Sequence, residues 1–295
     1  MPEAGSGCIP VPKTYWKAIC SCTPVTKTAT LKESIAELVH DGDSVALEGF
    51  SHLIPFAAGH EIIRQQRRDL TLIRLSSDII CDQMIGMGCA KKLVFSWAGN
   101  PGVGLLHRFR DAVEKQWPRP LELQEHTHAE LAAAFAAGAS RLPFGVLRGE
   151  PNSGLMQHTS SVASVKCPFT GENVTAVRAI NPDVTIIHAQ RADRRGNVQL
   201  WGIIGIQKEA VLAASRVIVT VEEICDELQP VAGGTVIPSW VVTNVVRVPS
   251  GARPSYVHGY YKRDNAFYQE WDSIARDRTR FLEWMDQNVM EAVAA

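Results

Sequence analysis

The sequence has no surplus of either charge. Its 30 Lys and Arg face 31 Asp and Glu, a formal net charge of −1 over 295 residues. That leaves no basic field to attract a nucleic acid. No apolar run approaches the ~20 residues of a membrane helix, so no membrane span is expected. The opening stretch, MPEAGSGCIPVPKTYWKAICSCTPVTK, has Gly, Pro and Lys but no continuous apolar segment, and does not read as a secretory signal. Residues 1–29 read as a poorly ordered N-terminal extension, with packing starting near Thr30. The seven cysteines are an odd number in a long chain and form no disulfide framework. Cys20 and Cys22 are too close for a usual zinc-ligand pair, and no second pair follows. Reduced thiols and a cytoplasmic location are expected.

Catalytic signatures are equally scarce. There is no G-x-S-x-G elbow, and spacing favours no Cys–His pair. The loop Gly99-Asn-Pro-Gly-Val-Gly104 lies between a strand and a helix, as a phosphate cradle would. It lacks the P-loop lysine and the glycine spacing of a dinucleotide fingerprint. What remains is a loop suited to an anionic or carbonyl ligand.

The sequence is rich in short, alternating elements. Hydrophobic residues make up 45% and charged residues 21%, an ordinary globular balance. Thr30-Leu-Lys-Glu33 has the form of a capping box, and Leu31, Ile35, Leu38 and Val39 follow at helical spacing. Strands are predicted over 44–47, 69–75, 91–97, 121–125, 142–147, 183–189, 198–201, 216–221 and 241–248. Helices are predicted after Pro55, over 78–87, up to Val113, over 128–137 and over 208–215. This alternation predicts an α/β fold, an open, mostly parallel sheet with helices on both faces. From Gly149 to Asn181 the alternation breaks, and a functional loop or interface is expected there. The tail, with Phe267, Trp271, Ile274, Phe281 and Trp284, reads as helix docked on the sheet or on a partner.

The candidate site residues lie where strands end. Val45-Ala-Leu-Glu-Gly-Phe-Ser-His-Leu-Ile-Pro55 runs a buried strand into Gly49, Phe50, Ser51 and His52. In open α/β sheets the carboxyl ends of strands are where ligands bind. Gly49 permits close backbone approach, and amides there would hold an oxyanion or carboxylate; a plain structural turn explains the glycine equally. Asn100, Gly102 and Gly104 form a second candidate wall. In the stretch 188–197, Asp193 and Asn197 suit a hairpin-like turn, while Arg191, Arg194 and Arg195 suit a phosphate, an acidic partner or simply solvent. His126 and His128 would share a face if their segment were strand, but no third metal ligand is apparent. Glu172 and the pair Glu222-Glu223 are the remaining carboxylates of interest.

Taken together these loops resemble the A (alpha) subunits of family I coenzyme A transferases. Asp41-Gly42, two residues, three apolar residues and then Gly49-Phe50 resemble the family's first signature. Glu48 stands where that signature has a glycine, and the Phe50 to Pro55 spacing departs from it. Further matches run collinearly through 92–104, 125–144, DVTIIHAQRADRRGN at 183–197, Val219 to Glu223 and Gly251 to Ser255. The resemblance covers residues 30–285, which is read as one A-subunit-like domain over 30–295.

It implies a subunit of a two-subunit enzyme that moves CoA from succinyl-CoA or acetyl-CoA to a dicarboxylate such as 3-oxoadipate or glutaconate. It implies a B (beta) subunit partner in a hetero-oligomer, and an acyl-CoA thioester as substrate with no bound cofactor. It also implies that the attacking glutamate lies on the B subunit, within a Ser-Glu-Asn-Gly motif that is missing here. Thr170-Gly-Glu-Asn173 is only a partial likeness and takes no such role. Gly49, Phe50, Ser51, His52, Asn100, Gly102 and Gly104 would line the shared cleft. The alternatives are a ring-opening hydrolase or decarboxylase of the same fold, or a binding protein without chemistry.

Overall fold

The computed structural model describes residues 29–149 and 159–291. The extension expected over 1–29 lies outside the described residues, save Ala29. The first helix, α1 (Leu31–Leu38), starts at the predicted capping box: Thr30 Oγ1 accepts from Glu33 N at 3.2 Å while the Glu33 carboxylate accepts from Thr30 N at 2.8 Å. There follow β1 (Ser44–Glu48), α2 (Phe56–Arg64), β2 (Leu70–Ser77), α3 (Ile79–Gly86), β3 (Ala90–Ala98), α4 (His107–Lys115), β4 (Glu122–Glu125) and α5 (His128–Ala139). After β5 (Phe144–Arg148), β6 (Val162–Lys166) and β7 (Asn173–Arg178) come β8 (Val184–Asp193), β9 (Val198–Leu200), α6 (Gln207–Ala213) and β10 (Arg216–Cys225). The described chain continues with β11 (Thr235–Ile237), β12 (Asn244–Arg247), α7 (Asn265–Arg276) and α8 (Arg278–Met285), and closes with a π-helical turn over Asp286–Met290.

The main sheet runs β4-β3-β2-β1-β8-β10-β12, all parallel. Short β9 and β11 add antiparallel pairs beside the far end of β8. One face packs α1 to α4, α7 and α8 around Ile35, Ile62, Leu72, Ile80 and Phe281. The other packs α5 and α6 around Ala46, Ile73, Val94, Leu131, Phe135 and Ala210. The expected open, mostly parallel sheet with helices on both faces is thus borne out. The chain winds outward from β1 to β4, then returns to β1's other side for β8, β10 and β12. The β1/β8 border is therefore a topological switch point, where a crevice opens at the carboxyl ends.

Two expectations need correction. Strand β5 does not extend the parallel sheet, and 149–181 is not wholly irregular. β5, β7 and β6 form a separate antiparallel sheet. It lies against α5 because Gly145 lacks a side chain: a Cβ there would sit 2.6 Å from the Ala133 carbonyl oxygen. The turn-rich composition of the segment marks the β6–β7 hairpin tip around Phe169 and Gly171. The tail packs into the core on this face of the sheet and ties to its helices: Trp271 Nε1 donates to Asp82 Oδ2 on α3 at 3.3 Å.

Candidate active site

The loop after β1 is built to double back sharply. Ser51 and Leu53 both hold left-handed φ values of 55°, which cost non-glycine residues about 1 kcal/mol or more each. Gly49 does not carry the positive φ. It is needed because a Cβ there would lie 2.6 Å from the Leu53 oxygen and 2.8 Å from that of His52. Its close approach is to its own chain. The backbone N–H groups of Phe50, Ser51 and His52 donate to no partner among the described residues. A run of unspent amides at a strand's carboxyl end is the makings of an oxyanion site.

Arg74, wholly buried on β2, braces this loop from behind. Its Nη1 donates to Leu47 O at 2.7 Å, Nη2 to Gly49 O at 2.9 Å, and Nε to Ser76 O at 2.7 Å. Nη2 also pairs with Asp78 Oδ2 at 3.2 Å, and Asp78 caps α3 through Ile80 N. Glu48, at the end of β1, accepts from Leu75 N at 3.0 Å. Burial pushes its pKa up to about 7, against the opposing pull of Arg74.

His52 sits inside the protein, 0% exposed. Its Nδ1 donates to Ile203 O at 3.0 Å and its Nε2 accepts from His258 N at 2.9 Å. Those bonds fix the neutral tautomer, and burial lowers the pKa to about 4. A side chain with both nitrogens spent is not poised to meet a ligand, so the sequence expectation for His52 shifts from contact to loop shape. The 201–206 turn covers the same loop: Gly202, at φ 94°, lies against the His52 ring and Gly205, at φ 54°, against Phe50. Leu53 N reaches Tyr256 O at 3.1 Å, tying the loop to the strap 250–261. Tyr256 to Lys262 line a shallow cleft of about 280 Å³ there.

That strap is anchored on a buried network between β8 and β10. His188 Nε2 donates to Glu222 Oε1 at 2.8 Å, and Glu222 also accepts from Tyr261 Oη at 2.7 Å and Ser250 N at 2.8 Å. Burial opposes ionisation of Glu222, but these bonds outweigh it and hold its pKa low; at His188 burial wins over the pull of Glu222 and lowers the pKa. Across the switch point, Gln207 Nε2 donates to both Glu48 O (3.2 Å) and His188 O (3.3 Å), clamping the ends of β1 and β8.

The second wall is closed on itself. Asn100 and Gly104 exchange backbone bonds of 2.9 and 3.0 Å. The Asn100 amide donates to Tyr268 O at 2.7 Å, tying α7 to the loop, while its Oδ1 is buried without a partner among the described residues. Gly102 takes φ 78°, and nothing lies within 4 Å of a Cβ built on Gly104. Arg263 holds Pro101 O at 2.5 Å and stacks on Tyr268.

The remaining candidates lie elsewhere or are engaged. Glu172 is at the small sheet's hairpin, 3.8 Å from Arg148. His126 and His128 do not share a strand face, because β4 ends at Glu125 and Thr127 caps α5 between them. The expected turn at 193–197 is present: Asp193 Oδ1 accepts from Arg195 N and Asn197 N at 2.9 Å each. Arg191 pairs with Glu223 and Arg194 with Asp226. Among the described residues no three His, Cys, Asp or Glu gather as a metal ion would need. No helix there is long and apolar enough to cross a membrane. Sequence reading missed Arg74, Asp78 and Gln207. The available signal was Arg74 itself, a lone cation inside the apolar strand LTLIRL.

Comparison with known proteins gives this edge of the sheet its context. Residues 28–247 match the coenzyme A transferase family. Over 260 residues the chain is 58% identical to the A (alpha) chain of the 3-oxoadipate CoA-transferase of Pseudomonas knackmussii, covering 88% of this chain and 92% of that one. The crystal structure of glutaconate coenzyme A-transferase from Acidaminococcus fermentans superposes with a TM-score of 0.82 at 31% identity, over 90% of this chain and 89% of that one. The decarboxylase AibA/AibB gives 0.78 at 29% identity, over 88% and 96%.

Proposed function

The chain belongs to the coenzyme A transferase family, as its sequence motifs led one to expect, and from that premise we propose that it is the alpha chain of a two-subunit 3-oxoadipate CoA-transferase. The 58% identity to a subunit of that activity carries the reading. The donor is succinyl-CoA or acetyl-CoA, the acceptor a dicarboxylate, and no cofactor is needed beyond the thioester itself. The enzyme works in the cytoplasm, which suits the free thiols of Cys81, Cys89, Cys167 and Cys225.

In the proposed reaction a B-subunit glutamate attacks the thioester carbonyl. The C–S bond breaks, CoA leaves as thiolate, and an acyl-glutamyl anhydride forms. The thiolate then attacks the glutamyl carbonyl and releases the donor's carboxylate, leaving glutamyl-CoA. The acceptor carboxylate repeats the sequence in reverse. Each addition puts negative charge on a carbonyl oxygen. Here the N–H groups of Phe50 and Ser51, exposed by the turn at Gly49, would receive it. The Ser51 hydroxyl would assist, His52 would hold the loop's shape, and the Asn100–Gly104 loop, with Gly102, would wall the cleft.

Co-expression of the chain with its B subunit tests this. The complex should exchange CoA between succinyl-CoA and 3-oxoadipate faster than it does with glutaconate. Net hydrolysis or loss of CO2 without exchange would favour the second reading, to which the fold shared with AibA/AibB lends support.

A further inference from the structure

We propose that Arg74 is a positioning residue of the transfer reaction: by holding the Gly49 carbonyl it aims the N–H of Phe50 at the developing oxyanion. This rests on the transferase reading for the reaction, but the geometry belongs to this chain alone. Gly49 C=O and Phe50 N–H are the two ends of one planar trans peptide. The guanidinium bonds to the oxygen end at 2.9 Å, so the hydrogen end must face the opposite way, where no acceptor among the described residues meets it. A cation on the oxygen also polarises the peptide and strengthens its N–H as a donor.

The other bonds of Arg74 have the same effect. Leu47 O at 2.7 Å fixes the end of β1, and Ser76 O at 2.7 Å fixes the end of β2. Asp78 links the guanidinium to the first turn of α3. A left-handed Ser51 and Leu53 persist only where surroundings over-determine them, and Arg74 is the side chain that grips this loop from inside. Burying a guanidinium is costly, and an apolar residue would fill the same space. Its planar fork explains the choice: it satisfies carbonyls that would otherwise be buried without donors. A lysine has no fork and cannot hold Leu47 O, Gly49 O and Ser76 O together.

The test uses the complex with its B subunit and two variants, Arg74→Lys and Arg74→Met. Per assembled site, kcat should fall by about 10²-fold in Arg74→Met, the loss typical of one misdirected oxyanion donor. KM for the acyl-CoA should stay within about threefold, because the donor acts on the transition state. Arg74→Lys should recover part of the loss. Hydrogen exchange gives an independent readout that needs no reaction. The amides of Leu53 and Ile54, bonded to Tyr256 and Ser255, should exchange slowly in the unsubstituted complex and clearly faster in both variants. Should Arg74→Met not assemble, Arg74→Lys carries both readouts. Unchanged kcat, a loss confined to KM, or rapid exchange of Leu53 and Ile54 already in the unsubstituted complex would each overturn the proposal. Failure of CoA exchange in the unsubstituted complex would overturn the transferase reading and leave the exchange readout to judge Arg74.

Discussion

Glu48 and His52 flank the loop after β1 and respond to pH in opposite senses. Burial raises Glu48 from 4.5 to about 7, and its stabilising share is full below pH 4.5 and lost as pH rises to about 7. Asp82, raised from 3.8 to about 6, behaves alike. His52 and His60 are lowered from 6.5 to about 4, so their share is full above pH 6.5 and lost as pH falls to about 4. Between pH 4.5 and 7 the contributions of these two pairs largely cancel each other. Glu48→Gln removes one side of the balance. The variant should gain stability relative to the parent as pH rises from 4 to 8, by on the order of 3 kcal/mol. Urea unfolding at both pH values checks this; a pH-independent difference would mean that Glu48 ionises normally in the fold.

Helix α5 shows how an element's packing can override its propensity. Its alanines and Gly138 let the helix backbone approach the exit of β7, where Ile180 N reaches Ala134 O at 3.1 Å. A Cβ on Gly138 would lie 2.0 Å from Ile180 O, against backbone that cannot rotate away. Gly138→Ala raises intrinsic helix propensity by about 1 kcal/mol, yet overpacking should outweigh that and destabilise by roughly 1–3 kcal/mol net. A higher urea midpoint for the variant would refute the close approach. Such contacts are the part of the fold that sequence does not disclose. The alternation of β1 to β4 and of β8, β10 and β12 was legible because buried parallel strands are short apolar runs between helical stripes; the three-residue antiparallel strand β11 was missed. The small sheet was not, since β6 and β7 pair with β5 through contacts that no local pattern encodes, behind a turn-rich hairpin that reads as loop. The site loop was legible at Gly49, Phe50 and Ser51 as a strand ending in a turn. The burial of His52 was not legible, because two long-range bonds, to residues 203 and 258, decide where its ring points.

At the scale of the molecule, the carboxylates packed around the loop after β1 and its supporting network are all engaged. Glu48 is only 2% exposed and receives Leu75 N; Glu222 receives three donors; Asp78 is bound to Arg74 and caps α3. Glu172, the partial match to the family's glutamate motif, sits on the hairpin of the separate sheet. A nucleophile must lie within contact of the thioester carbon and keep its lone pairs available. The purified chain should therefore exchange no CoA between succinyl-CoA and 3-oxoadipate, and adding the B subunit should establish the exchange. Borohydride added during turnover reduces a glutamyl-CoA thioester and marks the residue that bore it. Peptide mapping should place that mark on the B subunit only. A mark on Glu48, Glu172 or Glu222 would make this chain the bearer of the nucleophile and reverse the division of labour between the two subunits.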